Sequence, residues 1–385
     1  MAQHDVIHQQ QAAAGAAFIS YGGEGGVEVV ETFGEYEAEY AAIRKGVGLM
    51  ATPQRGLIAV RGTQWAAFLQ SMLTNDTSDK ELPPGRSCRA FLLNRAGRID
   101  ADMVVARLDA DDPAGAWMVV DQCDAEHVVK QLDQYVFAED VEFEDVSAQY
   151  SQISLHGPEA GALVGKLSGS SSTIEVDACV QIEMAGHSGF VYRRDEAGLC
   201  GLHLIMPADD TAVVHEQMAE AIGGLMPDVE GGSRRQFAGR GIGWLAYNTA
   251  RIEAGTPLFH VDFGPDSLPH ESGVLREAVS FTKGCYLGQE IVARMENLGH
   301  PKKLLVGLKM ADERLPIAGT QVFDEDEATV IGAVTSSTAS PMLGQKAIGF
   351  AMVKWGRHRP GTNVKVAAEG QMVEALTHGL GFLDG

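Results

Sequence analysis

The apolar positions fall into two periodicities, and together these lay out most of the chain. Leu57-Ile58-Ala59-Val60 is a short continuous apolar run that predicts a strand, and Gly62-Thr63 leads from it into a helix. There Trp65, Phe68, Leu69, Met72 and Leu73 recur at i, i+3, i+4, i+7 and i+8, one stripe that predicts core packing. Thr74-Asn75-Asp76 ends the helix with turn chemistry, and Pro83-Pro84-Gly85 marks the next loop. Phe91-Leu92-Leu93 reads as a strand, Asn94-Arg95-Ala96-Gly97 as a hairpin turn, and Arg98 to Leu108 as the returning strand. On a period of two, Asp100, Asp102, Val104, Ala106 and Leu108 share one face. Both faces become apolar after Met103, so this is an interior strand with acids only at its start. Asp102 then sits either at the edge of a buried pocket or as a solvated strand-end carboxylate.

Further along, Ala116 to Val120 predicts a strand, and Asp124 the cap of a helix with Val128, Val129, Leu132, Tyr135 and Val136 on its apolar face. Ile153-Ser154-Leu155 runs into a break at His156-Gly157-Pro158. Gly189 to Arg193 and Gly201 to Met206 read as strands, followed by a helix from Thr211 to about Ile222. Strand, helix, strands and helix in this order predict an α+β layer unit. After Pro301 the pattern changes to short strands at Lys303–Lys309, Thr320–Phe323, Ala328–Thr335, Lys346–Val353 and Asn363–Val366, separated by Gly, Pro and Ser turns. That spacing predicts a small closed β-barrel. The expected division is a flexible extension at 1–30, two interleaved α+β subdomains over 31–302, and the barrel at 303–385.

Bulk composition narrows the functional classes. The 385 residues leave room for two or three packed units. No run of about 18 apolar residues predicts a membrane span, and the first thirty residues lack a cationic start followed by an apolar core, which predicts a cytoplasmic protein. Five scattered cysteines predict a reducing compartment, no disulfide framework, and no self-contained zinc or iron–sulfur site. Thirty basic against 52 acidic residues, a net charge of −22, disfavour direct nucleic-acid binding while leaving room for a local basic patch.

The chemistry concentrates in Phe281-Thr282-Lys283-Gly284-Cys285-Tyr286-Leu287-Gly288-Gln289-Glu290. Gly284 and Gly288 permit a tight turn, and Glu290 with Arg294 at i,i+4 suits a helix opening at Gln289. Cys285 would lie near that helix N-terminus beside Lys283, and both influences favour a thiolate. A buried structural cysteine is the competing reading.

Lys-Gly-Cys-Tyr-x-Gly-Gln-Glu, with Ser280-Phe281 before it and Arg294 after it, resembles the signature of the YgfZ family, folate-dependent proteins that maintain iron–sulfur enzymes. That family shares its fold with the aminomethyltransferase (T-protein) of the glycine cleavage system. Arg44 to Leu49, Leu73 to Asp76, the hairpin through Gly97, Arg251-Ile252-Glu253-Ala254-Gly255-Thr256-Pro257-Leu258 and Leu268 to Glu271 follow the same superfamily. The resemblance implies an α+β, three-domain ring around a central folate cavity, closed by the C-terminal barrel. It implies tetrahydrofolate or a one-carbon-substituted folate as ligand, and iron–sulfur client or assembly proteins as partners. Asp102 matches the T-protein aspartate beside the reactive folate amines. Lys283, Cys285 and Asp102 are the implied catalytic residues. Asp102, Asn75, Arg251, Glu253, His203, Tyr286 and Gln289 are the implied folate-binding residues.

Departures from the T-protein pattern accompany the match. His203, in Gly201-Leu202-His203-Leu204, stands where the T-protein glutamate pairs with the pterin ring, and Met118, beside Trp117, replaces a tyrosine. The leading expectation is therefore a folate-binding accessory protein for iron–sulfur cluster assembly or repair. The alternatives are a tetrahydrofolate-dependent aminomethyltransferase and, third, a tRNA-modification factor.

Overall fold

A computed structural model describes residues 4–22, 26–108, 114–225 and 237–383. The chain divides into two compact units, one of residues 1–90 and 101–247, the other of residues 91–100 and 248–385. This partition differs from the expected one: it cuts near residue 247, and it assigns the hairpin tip to the second unit.

The first thirty residues, expected as a flexible extension, carry α1 (His4–Ala13) and a hairpin of β1 (Ala17–Tyr21) and β2 (Val27–Thr32). Residues 1–3 and 23–25 of that stretch lie outside the described residues. Val30 enters the core, and Ala14, Ala16 and Phe18 pack beside it. The Gln, Ala and Gly around these positions hide the few apolar anchors from a compositional reading. In α2 (Tyr36–Lys45), Glu37 and Glu39 fall in the first turn and Arg44 and Lys45 in the last, as the helix dipole favours. Glu39 is fully buried. One carboxylate oxygen accepts from the Thr32 hydroxyl (2.7 Å) and the Phe33 amide (2.8 Å), and the other from the Gly243 amide (2.8 Å).

The chain continues through β3 (Val47–Ala51), β4 (Arg55–Arg61), α3 (Trp65–Met72), β5 (Arg86–Leu93), β6 (Ile99–Arg107), β7 (Ala116–Asp121), α4 (Gln122–Asp133) and β8 (Glu142–Asp145). It then forms β9 (Tyr150–His156), α5 (Ala160–Ser168), β10 (Cys179–Met184), β11 (His187–Arg193), β12 (Gly201–Pro207), α6 (Ala208–Ala221) and β13 (Gly239–Gly241). Five strands form one sheet in the order β5-β6-β7-β4-β8, and six form another in the order β10-β11-β12-β9-β3-β13. β13 runs parallel to β3, whereas β10, β11, β12, β9 and β3 pair antiparallel. Asp124 does not cap α4. It lies inside the first turn, Asp121 occupies the N-cap, and Tyr135 and Val136 fall beyond the helix end.

The second unit contains the C-terminal part of α7 (Trp244–Ala254), then α8 (Leu275–Ala278) and α9 (Gln289–Leu298). Six strands follow: β14 (Lys303–Met310), β15 (Gln321–Phe323), β16 (Val330–Ser340), β17 (Lys346–Lys354), β18 (Asn363–Ala368) and β19 (Gln371–His378). They close into a barrel in the order β14-β17-β16-β15-β18-β19 around Val306, Leu308, Val322, Val334, Ala351, Val353 and Val366. The fold is thus α+β with a closed C-terminal barrel. The sixth strand, β19, goes beyond the five the pattern predicted: its outward Met372 and Leu376 are 38% and 44% exposed and blur the alternation.

Three hydrogen bonds converging on a buried carboxylate make Glu39 a sensitive point. Glu39→Ala strands those donors and is expected to lower stability by about 3 kcal/mol, with Glu39→Gln less affected. Urea-unfolding midpoints of the two variants check the order.

Candidate functional site

One face of the six-stranded sheet carries a buried polar network inside the first unit. On β9, Gln152, Ser154 and His156 alternate with Ile153 and Leu155, so the three polar side chains share a face. The register sets His203 of β12 opposite Ser154 and Tyr192 of β11 opposite His203. The Tyr192 and His203 rings stack at 4.8 Å with an interplanar angle of 11°. The Tyr192 hydroxyl donates to Gln152 Oε1 at 3.3 Å, which turns the amide nitrogen toward His203 Nδ1, also at 3.3 Å. His203 Nδ1 is then the acceptor, and its proton resides on Nε2. His156 Nε2 lies 3.0 Å from the Ser154 hydroxyl, and its ring packs 5.0 Å from Tyr247.

Glu196, in the connection between β11 and β12, supplies the charge of this network. Its Oε2 accepts from the Tyr247 hydroxyl at 2.6 Å and lies 3.8 Å from His203 Nε2, while its Oε1 lies 3.9 Å from Arg55 Nη2. Arg55 Nη1 donates to Asp121 at 3.1 Å. Burial alone would raise the Glu196 pKa. The pull of His203 and Arg55 and the Tyr247 hydrogen bond outweigh it and hold the carboxyl at about 2. Burial lowers the pKa of His203, against the pull of Glu196, so its imidazole is neutral near pH 7 and Arg55 is the standing countercharge. Burial, reinforced by His203, takes His156 down to about 3. A cavity of about 370 Å3 adjoins the network through Gln152 and Ser151, with Ile7, His8, Ala51 and Pro53 among its walls.

Asp102 is neither solvated nor a free carboxylate at a pocket edge. Arg89 grips both its oxygens, Nε donating to Oδ1 at 2.9 Å and Nη2 to Oδ2, with both side chains almost wholly buried. Asn75 braces the arginine by donating to its backbone carbonyl at 2.7 Å. Arg89 also feels Glu196 as a favourable charge and Arg55 as an unfavourable one. Asp102, Asn75 and His203 therefore lie in the first unit with this network.

The other expected site residues belong to the second unit. Arg251 is fully buried and pairs with Asp262, with further bonds to Asn248 Oδ1 (2.9 Å) and the Thr256 carbonyl (3.1 Å). Asp262 in turn accepts from Ser336 and Thr335. Glu253 accepts from the Ser340 hydroxyl. These two residues knit α7 to the barrel strands of their own unit. Cys285 is exposed, and Lys283 Nζ sits 5.3 Å from the centre of the Tyr286 ring. Burial raises the Tyr286 hydroxyl to about 12. Gln289 folds back so that Oε1 accepts from the Tyr286 amide at 2.9 Å. Gly288 is left-handed at φ +78°, and a Cβ there would meet the Asn94 carbonyl at 2.8 Å.

Sequence reasoning missed Arg55, Glu196, Gln152, His156, Tyr192 and Tyr247. A signal was present on β9, where polar residues alternate with Ile153 and Leu155 in a strand buried over nearly its whole length.

A model of the GCVT N-terminal domain matches residues 7–283, and one of the glycine cleavage T-protein C-terminal barrel domain matches residues 303–384. The chain is 30% identical over 366 residues to an aminomethyltransferase of Geobacillus kaustophilus, covering 94% of each. It is 27% identical over 353 residues to an aminomethyltransferase of Staphylococcus carnosus, covering 91% of each. The crystal structure of the glycine cleavage system aminomethyltransferase T from Bartonella henselae superposes with a TM-score of 0.83 at 24% identity, covering 98% of this chain and 97% of that one, a likeness of fold. These matches overturn the iron–sulfur accessory reading. It rested on eight residues at 283–290, whereas similarity to aminomethyltransferases runs through nearly the whole chain.

Two measurements follow from the site. The unfolded chain takes up a proton at His156 near pH 6.5, but the folded chain only near 3, so the buried neutral ring costs stability progressively as pH falls between those values. The loss is on the order of 4 kcal/mol by pH 3. His156→Gln is expected to flatten this acid slope in urea midpoints taken from pH 7.5 to 4.5. Second, limiting alkylation read by peptide mass spectrometry should label Cys285 and Cys123, both exposed, ahead of the half-buried Cys88 and Cys200 and the buried Cys179.

Proposed function

The chain belongs to the glycine cleavage T-protein family, and within it we propose a tetrahydrofolate-dependent one-carbon transferase of the aminomethyltransferase type, working in the cytoplasm. The observation that carries this reading is Glu196: a nearly buried carboxylate kept ionised by Arg55 and Tyr247 beside a neutral His203. The resemblance assigns position 203 a glutamate that accepts from two pterin N–H groups, and an imidazole offers only one donor and one acceptor. Glu196, 3.8 Å from the His203 ring, returns a carboxylate to that neighbourhood.

The residues present suit a hydrogen-bonding heterocycle. Among the described residues, His156 Nδ1 is buried without a hydrogen-bond partner, and an orphaned polar atom of this kind favours a polar ligand. When bound, tetrahydrofolate supplies the amine nitrogens that take up the one-carbon unit. Glu196 would accept hydrogen bonds from the ring, and His203 would face it with its imidazole. Asp102, fixed by Arg89 and braced by Asn75, presents a carboxylate whose position does not drift. The network excludes water by its burial, which strengthens each of these interactions. Cys285 and Lys283 receive no step in this reading.

The test is a tetrahydrofolate titration followed by an assay of methylene transfer from an aminomethyl-lipoyl carrier. Wild-type protein is expected to bind and transfer. Glu196→Gln should weaken binding by roughly 10- to 150-fold, the loss of a charge-assisted hydrogen bond of about 1.5–3 kcal/mol. Unchanged affinity in a folded variant removes Glu196 from the site, and tight binding without transfer overturns the transferase assignment. Asp102 is better probed as Asp102→Asn than as alanine, because alanine leaves Arg89 buried and uncompensated.

A further inference from the structure

In a chain of net charge −22, two segments carry no acid at all. Residues 299–311 and 344–368 hold eight of the 30 lysines and arginines and not one aspartate or glutamate. The barrel brings these segments together, because β14 pairs antiparallel with β17 and sets Lys303 directly opposite Lys354. Like charges facing one another across a strand pair are unfavourable. At the same end the Trp355 amide donates to the Lys302 carbonyl at 2.8 Å, which carries the loop with Arg357, His358 and Arg359 alongside Lys302. Lys354 Nζ donates to the Val330 carbonyl, and Arg357 pairs with Asp324. Among the described residues, the side chains of Lys302, Lys303 and Arg359 have neither an ion pair nor a hydrogen bond.

An aromatic stack fixes the patch. Trp355 stacks with two imidazoles, His300 at 4.8 Å and 4° and His358 at 4.0 Å and 27°, and is itself 39% exposed. His300 Nδ1 is 3.1 Å from the Pro301 carbonyl, and His358 Nδ1 accepts from the Gly356 amide at 3.2 Å, so both rings are held by backbone. Burial lowers the His358 pKa first, and Arg359 and His300 lower it further, which reports the positive potential there.

We propose that this end of the barrel, formed by His300, Lys302, Lys303, Lys354, Trp355 and Arg359, docks an acidic, carboxylate-rich segment of a partner protein. The geometry favours that partner over a single-stranded nucleic acid. Nucleic-acid grooves offer a free aromatic face for base stacking, and here the indole is already stacked against two imidazoles. What remains exposed is cationic side chains around an indole edge, which suits carboxylates. The surface is independent of the folate reading, since none of its residues belongs to the first unit.

Fluorescein-labelled hexaglutamate, followed by anisotropy with the full-length protein at 50 mM and 200 mM salt, tests the surface. Binding at low salt is expected, at least tenfold weaker at 200 mM. A Lys302→Glu, Lys303→Glu, Arg359→Glu triple variant should weaken it at least tenfold further, with Lys166→Glu on α5 unchanged. Circular dichroism of the triple variant and a neutral Arg359→Gln variant separate lost docking from lost folding, the latter expected to weaken binding severalfold. Equal binding by the folded triple variant, no binding at 1 mM protein in low salt, or tighter binding of a labelled dT oligonucleotide of the same charge overturns the proposal.

Discussion

The charge on Arg55 is the constraint from which the functional face of the first unit follows. A carboxylate as buried as Glu196 stays ionised only with a fixed countercharge nearby, and burial lowers the pKa of His203, which disfavours its charged form. Arg55 can serve because Asp121 holds its other nitrogen. Arg55 opens β4 and Asp121 closes β7, neighbouring strands of the five-stranded sheet, while Glu196 sits on a connection of the six-stranded sheet. Electrostatics therefore specify a register between two sheets that packing of apolar side chains alone would leave looser. Such networks gain little net stability, since desolvation consumes most of the Coulombic return. Their effect here is positional.

This explains which parts of the molecule the sequence disclosed. The α3 stripe, the 94–97 turn, the β6 alternation and the change of pattern after Pro301 are local signals, and local signals survive in one dimension. Glu196 sits in Asp195-Glu196-Ala197-Gly198, which reads as a polar turn, and Arg55 reads as a strand-end cation on the surface. Both are partly withdrawn from solvent because elements distant in sequence close over them. The same holds for Asp102, whose partner Arg89 lies 13 positions away on the neighbouring strand of a hairpin. The first thirty residues failed differently: their average polarity outweighed Phe18, Val29 and Val30, which are enough to seat a hairpin.

The 283–290 motif shows how a strong pattern can be architectural. Gly288 adopts a left-handed conformation before α9 and lies so close to the hairpin tip that no side chain fits, and Gly97 of that tip approaches Ile291 equally closely. Gln289 closes the turn through its own side chain. The constraint binds the motif to the hairpin within one unit, whatever chemistry the protein performs. Proteins of one fold with different functions can share it. Arg251 teaches the same lesson from the opposite side: a residue that looks suited to ligand carboxylates is fully buried and paired with Asp262.

Position 203 then acquires a physical reason. Tyr192 donates to Gln152, Gln152 donates to His203 Nδ1, and the ring proton is left facing Glu196. Each donor orients the next, so the imidazole tautomer is settled by the sheet and not by solvent. A glutamate at 203, as the T-protein pattern has it, would place a second carboxylate within about 4 Å of Glu196. Two buried carboxylates that close cannot both ionise, and one would take up a proton. The chain carries a single carboxylate in this neighbourhood and meets it with a neutral donor. In this chain the negative charge of the face sits on Glu196 in the adjoining loop, and His203 on the strand faces it as a hydrogen-bonding ring.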